Sequence, residues 1–327
     1  MTWDRVILTE DQRDVRDMVL EWRESLEPID SDDDASATEA AREGMVELGV
    51  WSIGVSEAAG GSGADLDLRL VALAAVAGRS AALAWASAQA HAAAEVLAGV
   101  AEADELVAAI VGGTQPVAVV DIASTASRLS IADGRATGTI ARVDAAGTAP
   151  AIVVLDGADT AWLLEPSAVR MQRTHRRTGL AGARTAPVEV DGAAIRISDV
   201  DVAGVLSRLR LAGAAIAAGL AVDAAGLAAG YASSRVQFGG PLTALPTVRR
   251  SLDQQRRFAA ASLSSAVNDD GVSLDRSTAT LAECLARAIE VGSAAVQSHG
   301  GYGYIEEYGV ARLLRDAVSL RAATSVI

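Results

Sequence analysis

A chain of 327 residues, 50% hydrophobic and 21% charged, has the length for two or three packed units and the apolar surface for a large core, which excludes a peptide-sized module and wholesale disorder. Acidic residues outnumber basic ones, 42 to 28, and the net charge of −14 argues against nucleic acid or an anionic membrane as a partner. Every basic residue is arginine, which excludes lysine Schiff-base and P-loop chemistry, and one cysteine with three histidines allows no internal disulfide and falls short of an ordinary zinc set.

In chain order, the first residues lack a charged segment followed by an apolar run, so the cytoplasm is the expected location. Apolar residues at Val15, Met18, Val19 and Trp22 predict a helix over about 10–26, with Thr9 and Gln12 spaced as a capping box. The stretch from Asp30 to Ser36 reads as a solvated acidic loop, because it lacks the Gly and terminal Glu of an EF-hand loop. A second helix is expected over about 35–48, stopped by Gly49. The glycine turn Ala59-Gly60-Gly61-Ser62-Gly63 follows, then two Ala/Leu-rich helices over about 67–78 and 80–97 and a third over about 101–111. Residues 1–111 are thus expected to form an N-terminal helical domain.

At Gly112 the character changes to short β-branched runs, 117–120, 135–140, 151–155, 160–164 and 188–190, separated by Gly, Asp and Pro turns. These predict a small β-barrel or β-sandwich over 112–198. From 199 to 327 the pattern is helical again, over about 202–234, 245–267, 275–299 and 307–323, a four-helix bundle. Its apolar stretch from Leu209 to Leu227 is crowded with Ala and Gly and interrupted by Arg210 and Asp223, which reads as a buried helix rather than a membrane span. The fold class is α+β multidomain.

Three segments carry candidate chemistry. Gly60 to Gly63 fails as a dinucleotide loop because no strand of a βαβ unit precedes it. Arg235-Val-Gln237-Phe238-Gly-Gly-Pro-Leu242 offers an arginine for an anion and an aromatic to pack beside a ring, although alone it is also a helix hairpin. Gly300-Gly301-Tyr302-Gly303-Tyr304 ends one helix and starts another, so it is either a capping turn or a place where backbone approaches another body. Cys284 reads as a core residue, His91 as core or interface, and His299 as a packing or capping residue.

Together, and in this order around a β domain, the segments resemble the acyl-CoA dehydrogenase family. Gln297-Ser-His-Gly-Gly-Tyr-Gly-Tyr-Ile-Glu-Glu-Tyr-Gly-Val-Ala-Arg312-Leu-Leu-Arg315-Asp316-Ala317 is similar to that family's carboxy-terminal signature. Arg235 to Leu242 resembles its second signature, and Leu48-Gly-Val with Ser56-Glu57 and Gly60-Gly61-Ser-Gly63 its amino-terminal one. The resemblance implies FAD held between the β domain and the bundle of one subunit, with a neighbouring subunit completing the site. It puts Arg235 on the FAD pyrophosphate with Gln237 and Phe238 beside it, and Gln297, Gly300 and Gly301 against the adenine end or the pyrophosphate. It makes Arg208 either an organiser of the acyl-CoA pocket or an exposed or salt-bridged helix arginine, and Arg312, Arg315 and Asp316 structural ion pairs. His175 is either solvated surface or a contact for the CoA 3′-phosphate.

The departures from the family pattern are as informative. Its general base is a glutamate at one of two positions, and these fall here on Thr324 and Ser207, leaving no catalytic residue in this chain. The family's loop after the first β strand keeps little of its pattern in Pro116 to Thr125, and its flavin-packing segment aligns loosely with Ala141 to Asp144. The resemblance is therefore to the base-lacking subunit of heteromeric α2β2 bacterial enzymes, some of which act on steroid side-chain CoA thioesters. It implies α,β-dehydrogenation of an acyl-CoA, a paralogous partner subunit, and electron transfer to an electron-transfer flavoprotein. Two alternatives stay open: a homotetramer whose base has moved to Glu306 or Glu307, and a flavin-free structural or acyl-CoA-binding paralogue.

Overall fold

The computed structural model describes residues 2–26, 29, 35–173 and 177–327. His175 and most of the acidic loop, Asp30 to Asp34, lie outside the described residues. Helix α1 (Glu10–Glu24) opens with the expected capping box: the Thr9 side chain accepts from the Gln12 N–H, and the Gln12 side chain accepts from the Thr9 N–H. Its inward stripe is Gln12, Val15 and Val19, and Gln12 donates to Asp67 at 2.8 Å. Met18, expected on that face, is 37% exposed, because with Val19 at the centre of the stripe a residue one step earlier is turned about 100° away. Helix α2 (Ala35–Glu47) stops before Gly49, whose φ of +75° is the left-handed conformation that ends a helix.

The two helices expected over 67–97 are one element, α3 (Leu66–Leu97), kinked at Ser80. Ser80 caps the second half, its hydroxyl accepting from the Leu83 N–H at 3.2 Å. Arg23 and Arg312 donate to the carbonyls of Ala75 and Gly78 at 2.8 and 2.7 Å, so carbonyls beside the break are satisfied from other helices. Helix α4 (Asp104–Val111) completes the N-terminal layer.

The middle region is two four-stranded sheets. The first has the order β1-β4-β5-β8, from β1 (Val117–Asp121), β4 (Ala151–Asp156), β5 (Thr160–Leu164) and β8 (Ile195–Ser198), with β1 parallel to β4. The second has the order β2-β3-β7-β6, from β2 (Ser127–Ala132), β3 (Arg135–Val143), β7 (Ala186–Ala193) and β6 (Val169–Met171). The first sheet is buried on both faces. Val119, Val153 and Leu163 point into the helical core, while Val120, Ile152 and Val154 meet Ile140 and Val188 of the second sheet. That explains the near-continuous apolar runs of β1 and β4. Strands β2, β6 and β8 were not expected: β2 alternates only between partly buried and exposed positions, and β6 has three residues, so neither makes an apolar run.

The C-terminal bundle comprises α5 (Val202–Ser234), α6 (Pro246–Val267), α7 (Leu274–His299) and α8 (Val310–Ala323). Helix α8 begins three residues later than expected, because a short 3₁₀ turn and Gly309, with φ +66°, precede it. Helix α5 is the axle of the molecule, packed on α3, α6, α7 and α8. Small residues make that possible: a Cβ on Gly219 would come within 2.1 Å of the Ala74 carbonyl oxygen of α3. Helices α3 and α5 are long and apolar enough to cross a membrane, yet 94% and 83% of their most apolar windows are buried inside the fold.

Candidate functional site

The C-terminal ends of α5 and α7 meet at one exposed corner. Arg235 closes α5, its N–H bonded to the Tyr231 carbonyl at 2.9 Å, and leads into a hairpin of β9 (Val236–Gln237) and β10 (Gly240–Pro241). The hairpin turn is Phe238-Gly239, both at positive φ, as a tight two-residue connection requires, and it leaves the Phe238 ring 87% exposed. Gln297 lies on the last turn of α7, and its carbonyl accepts from the Gly300 N–H. A Cβ at Gly300 or Gly301 would meet nothing within 4 Å, so this backbone is open to a partner.

An aromatic cluster joins the two ends. The Arg235 guanidinium lies 5.4 Å from the centroid of Tyr302, Tyr231 stacks on His299 at 4.4 Å, and Tyr308 sets its edge against Tyr231 at 5.9 Å. The His299 Nδ1 is 2.8 Å from the Ala295 carbonyl, which makes His299 the packing residue expected. Among the described residues no carboxylate pairs with Arg235. A free guanidinium, an unobstructed glycine turn and exposed rings suit a phosphate-bearing ligand with a flat ring. The residues of the corner therefore fit the diphosphate end of a flavin dinucleotide.

A second region lies between α5, α7 and α8, a cleft of about 330 Å³ lined by Arg210, Thr278, Leu281, Leu285, Arg321 and Thr324. Thr324, one of the two positions on which the resemblance puts the family's base, lines it and donates to the Arg321 carbonyl at 3.2 Å. Ser207, the other, is fully buried away from the lining, its hydroxyl 2.9 Å from that of Ser277. No carboxylate side chain is among the lining residues. Arg210 donates to the Thr278 hydroxyl at 2.7 Å; burial lowers its pKa, and Asp121 at the end of β1 works against that shift. The loop after β1 is pinned nearby, the Ser124 hydroxyl donating to the Ser325 carbonyl at 3.1 Å.

Arg208 does not line this cleft. It is committed to Glu95, both of whose carboxylate oxygens accept from it, whereas Arg210 reaches the cleft from the helix face that also carries Ser207. The sequence reading missed Arg210, and the signal that could have found it is its spacing of three residues from Ser207. The segment Ala141 to Asp144 follows a break in register on β3, and its charges are already engaged. Arg142 grips Asp144 at 2.6 and 2.9 Å, Thr185 also donates to Asp144, and Arg142 reaches the Ser319 carbonyl of α8 at 3.3 Å. That stretch holds the β layer to the bundle, and it does not fit a flavin ring.

The remaining candidates are structural. Arg312 pairs with Asp316 at 2.9 Å, and Asp316 accepts from the Leu180 N–H at 2.7 Å; burial raises the Asp316 pKa, with Arg312 opposing. Cys284 is buried and its thiol is pushed up to about 12, which leaves it unreactive. Glu306 and Glu307 are exposed at the corner, not at the cleft. Corner and cleft stand at opposite ends of α5: the rise from Arg210 to Arg235 is roughly 38 Å along the helix axis.

Residues 201–324 match the family model described as the acyl-CoA dehydrogenase C-terminal domain. An acyl-CoA dehydrogenase of Bacillus subtilis (strain 168) is 35% identical over 136 residues, 39% of this chain and 34% of that protein. The curated relatives are matched over 30% to 41% of their own length. Among solved structures, butyryl-CoA dehydrogenase from Megasphaera elsdenii superposes with a TM-score of 0.82 at 20% identity, covering 97% of this chain and 95% of that one. A glutaryl-CoA dehydrogenase from Mycobacterium smegmatis in complex with FADH2 gives 0.82 at 13% identity, covering 97% and 91%. At these identities the likeness establishes the fold: an N-terminal helical layer, a middle β region and a C-terminal helical bundle in the acyl-CoA dehydrogenase arrangement.

Proposed function

We propose that this chain, which has the acyl-CoA dehydrogenase fold and carries that family's C-terminal domain at residues 201–324, is the base-lacking subunit of a heteromeric, FAD-dependent acyl-CoA dehydrogenase. The observation that carries the reading is the separation of two half-sites. A cleft without a carboxylate side chain stands roughly 38 Å along α5 from an arginine with no carboxylate partner beside an open glycine turn. No single dinucleotide reaches from one to the other, so the corner serves a flavin seated mainly on another subunit.

In this reading Arg235 and the backbone of Gly300 and Gly301 hold the pyrophosphate, and Gln237, Phe238 and Gln297 flank it. Bound FAD supplies the hydride acceptor for α,β-dehydrogenation of a CoA thioester, and an electron-transfer flavoprotein takes the electrons onward. The carboxylate that removes the α-proton comes from a paralogous partner subunit. Thr324 and Ser207 do not replace it, because a hydroxyl bonded only to a carbonyl or another hydroxyl has no group to make it basic. Bulky acyl groups, steroid side-chain thioesters among them, are the substrates to try first.

Co-expression with a paralogous acyl-CoA dehydrogenase chain, followed by native mass spectrometry, tests the reading. A mixed tetramer holding two FADs is the expected result. A yellow homotetramer with one FAD per chain overturns it and points to Glu306 and Glu307, while a colourless chain that takes no partner favours a flavin-free scaffold.

A further inference from the structure

In the subunit reading the cleft between α5, α7 and α8 performs no chemical step, yet its lining has a chemistry of its own. Its charged side chains are Arg210 of α5 and Arg321 on the last turn of α8, both positive in a chain whose acidic residues outnumber its basic ones 42 to 28. Neither guanidinium has an ion-pair partner among the described residues. Arg210 gives one hydrogen bond to the Thr278 hydroxyl, at 2.7 Å, and the rest of its fork has no protein partner. Asp121 attracts it through space, but that carboxylate is outside ion-pair distance and accepts from the Ala123 N–H at 2.9 Å. Burial lowers the Arg210 pKa, the mark of a cation partly stripped of water, and such a cation is stabilised by a counter-charge that no side chain of the cleft supplies.

The wall from α7 is apolar. Leu281 and Leu285, 7% and 5% exposed, stand one turn apart, and beside them Ala282 and Ala286 are exposed and too small to close the cleft. The volume of about 330 Å³, at about 30 Å³ for a water-sized group, takes roughly eleven heavy atoms. That is far less than CoA or a flavin and close to an eight-carbon chain with a carboxylate at its end. A bare inorganic anion would leave the leucines uncovered, and a neutral alkyl group would leave the guanidiniums unmatched.

We infer that the cleft is a binding site for a medium-chain fatty carboxylate, its alkyl chain on Leu281 and Leu285 and its head against the guanidiniums of Arg210 and Arg321. The head is a free carboxylate, because the neutral carbonyl of a thioester would meet neither charge. The site therefore stands apart from the dehydrogenation chemistry and does not rest on the subunit reading.

Isothermal titration calorimetry of the full chain with octanoate, hexanoate and 1-octanol is the test. Octanoate should bind saturably at a single site. Hexanoate should bind roughly tenfold more weakly, since each buried methylene contributes about fourfold. Octanol, which keeps the chain and loses the charge, should also bind at least about tenfold more weakly. Two variants locate the site. Arg321→Met removes an exposed cation, and Ala282→Trp fills the cleft from an exposed position, so both should keep the wild-type Tm while weakening octanoate at least about tenfold. Absence of saturable octanoate binding in the wild type overturns the proposal whether or not the variants fold. So does equal affinity for octanol, or octanoate affinity undiminished in either variant. The stoichiometry of the mixed assembly decides the subunit reading separately, so either can fail while the other stands.

Discussion

His91 shows how one buried side chain acquires a pH dependence that the whole protein then carries. Its Nε2 lies 2.8 Å from the Trp51 carbonyl, which fixes the proton there, and burial together with the Arg69 charge holds its pKa near 3. The folded pKa is below that of the unfolded chain, so as pH falls below about 6.5 the unfolded state takes up a proton that the native state refuses. The stability is complete above that pH and declines towards pH 3 by as much as about 1.4 kcal/mol per unit. Urea unfolding at about pH 7 and about pH 5 should show this loss in the wild type and a shallower one in His91→Gln, whose amide can still donate to Trp51. The sequence placed His91 in the core or at an interface, but Arg69, whose charge adds to the effect of burial on it, gave no signal, because an arginine in an Ala/Leu-rich helix reads as a surface residue until its neighbours are known.

At the scale of elements, α3 and α5 carry the architecture, and glycine sets how closely they pack. Gly219→Ala would drive a methyl into the Ala74 carbonyl, so the helices must separate, and a loss of roughly 1–3 kcal/mol with a matching fall in the denaturation midpoint is expected. Gly226→Ala, where a Cβ meets nothing within 4 Å, is the control and should be neutral or slightly stabilising through helix propensity. The long helices were legible because a 3.6-residue pattern extends over many turns, and the cap at Thr9 and the stop at Gly49 because they depend on local chemistry alone. The edge strands β2 and β6 were not legible, since a half-exposed or three-residue strand is defined by the neighbour it pairs with, not by its own pattern. The kink at Ser80 was half visible, as a break between two helices. Its satisfaction by Arg23 and Arg312 was not, because those residues lie far away in sequence.

For the whole molecule, one helix separates a cleft from a corner, and in the proposed reading the corner contributes to a flavin site on another subunit. Arg235→Met should therefore weaken FAD retention by the mixed assembly by roughly 1–3 kcal/mol, while leaving the Tm of the isolated chain nearly unchanged. Equilibrium dialysis of the assembly, read beside the thermal melt of the lone chain, checks both halves of that expectation. By itself the sequence determined the helical, β and helical order and the resemblance of three glycine- and arginine-bearing segments to one family, since both are written in local composition and spacing, and that resemblance in turn puts Thr324 and Ser207 where the family's base would stand. Only the tertiary structure decided that Arg210 and not Arg208 reaches the cleft, that Ala141 to Asp144 ties the β layer to the bundle, and that Arg69 is buried with its Nε unpartnered. Those outcomes depend on the direction a side chain takes from its helix and on which distant groups fold against it, and neither is encoded in the residue alone.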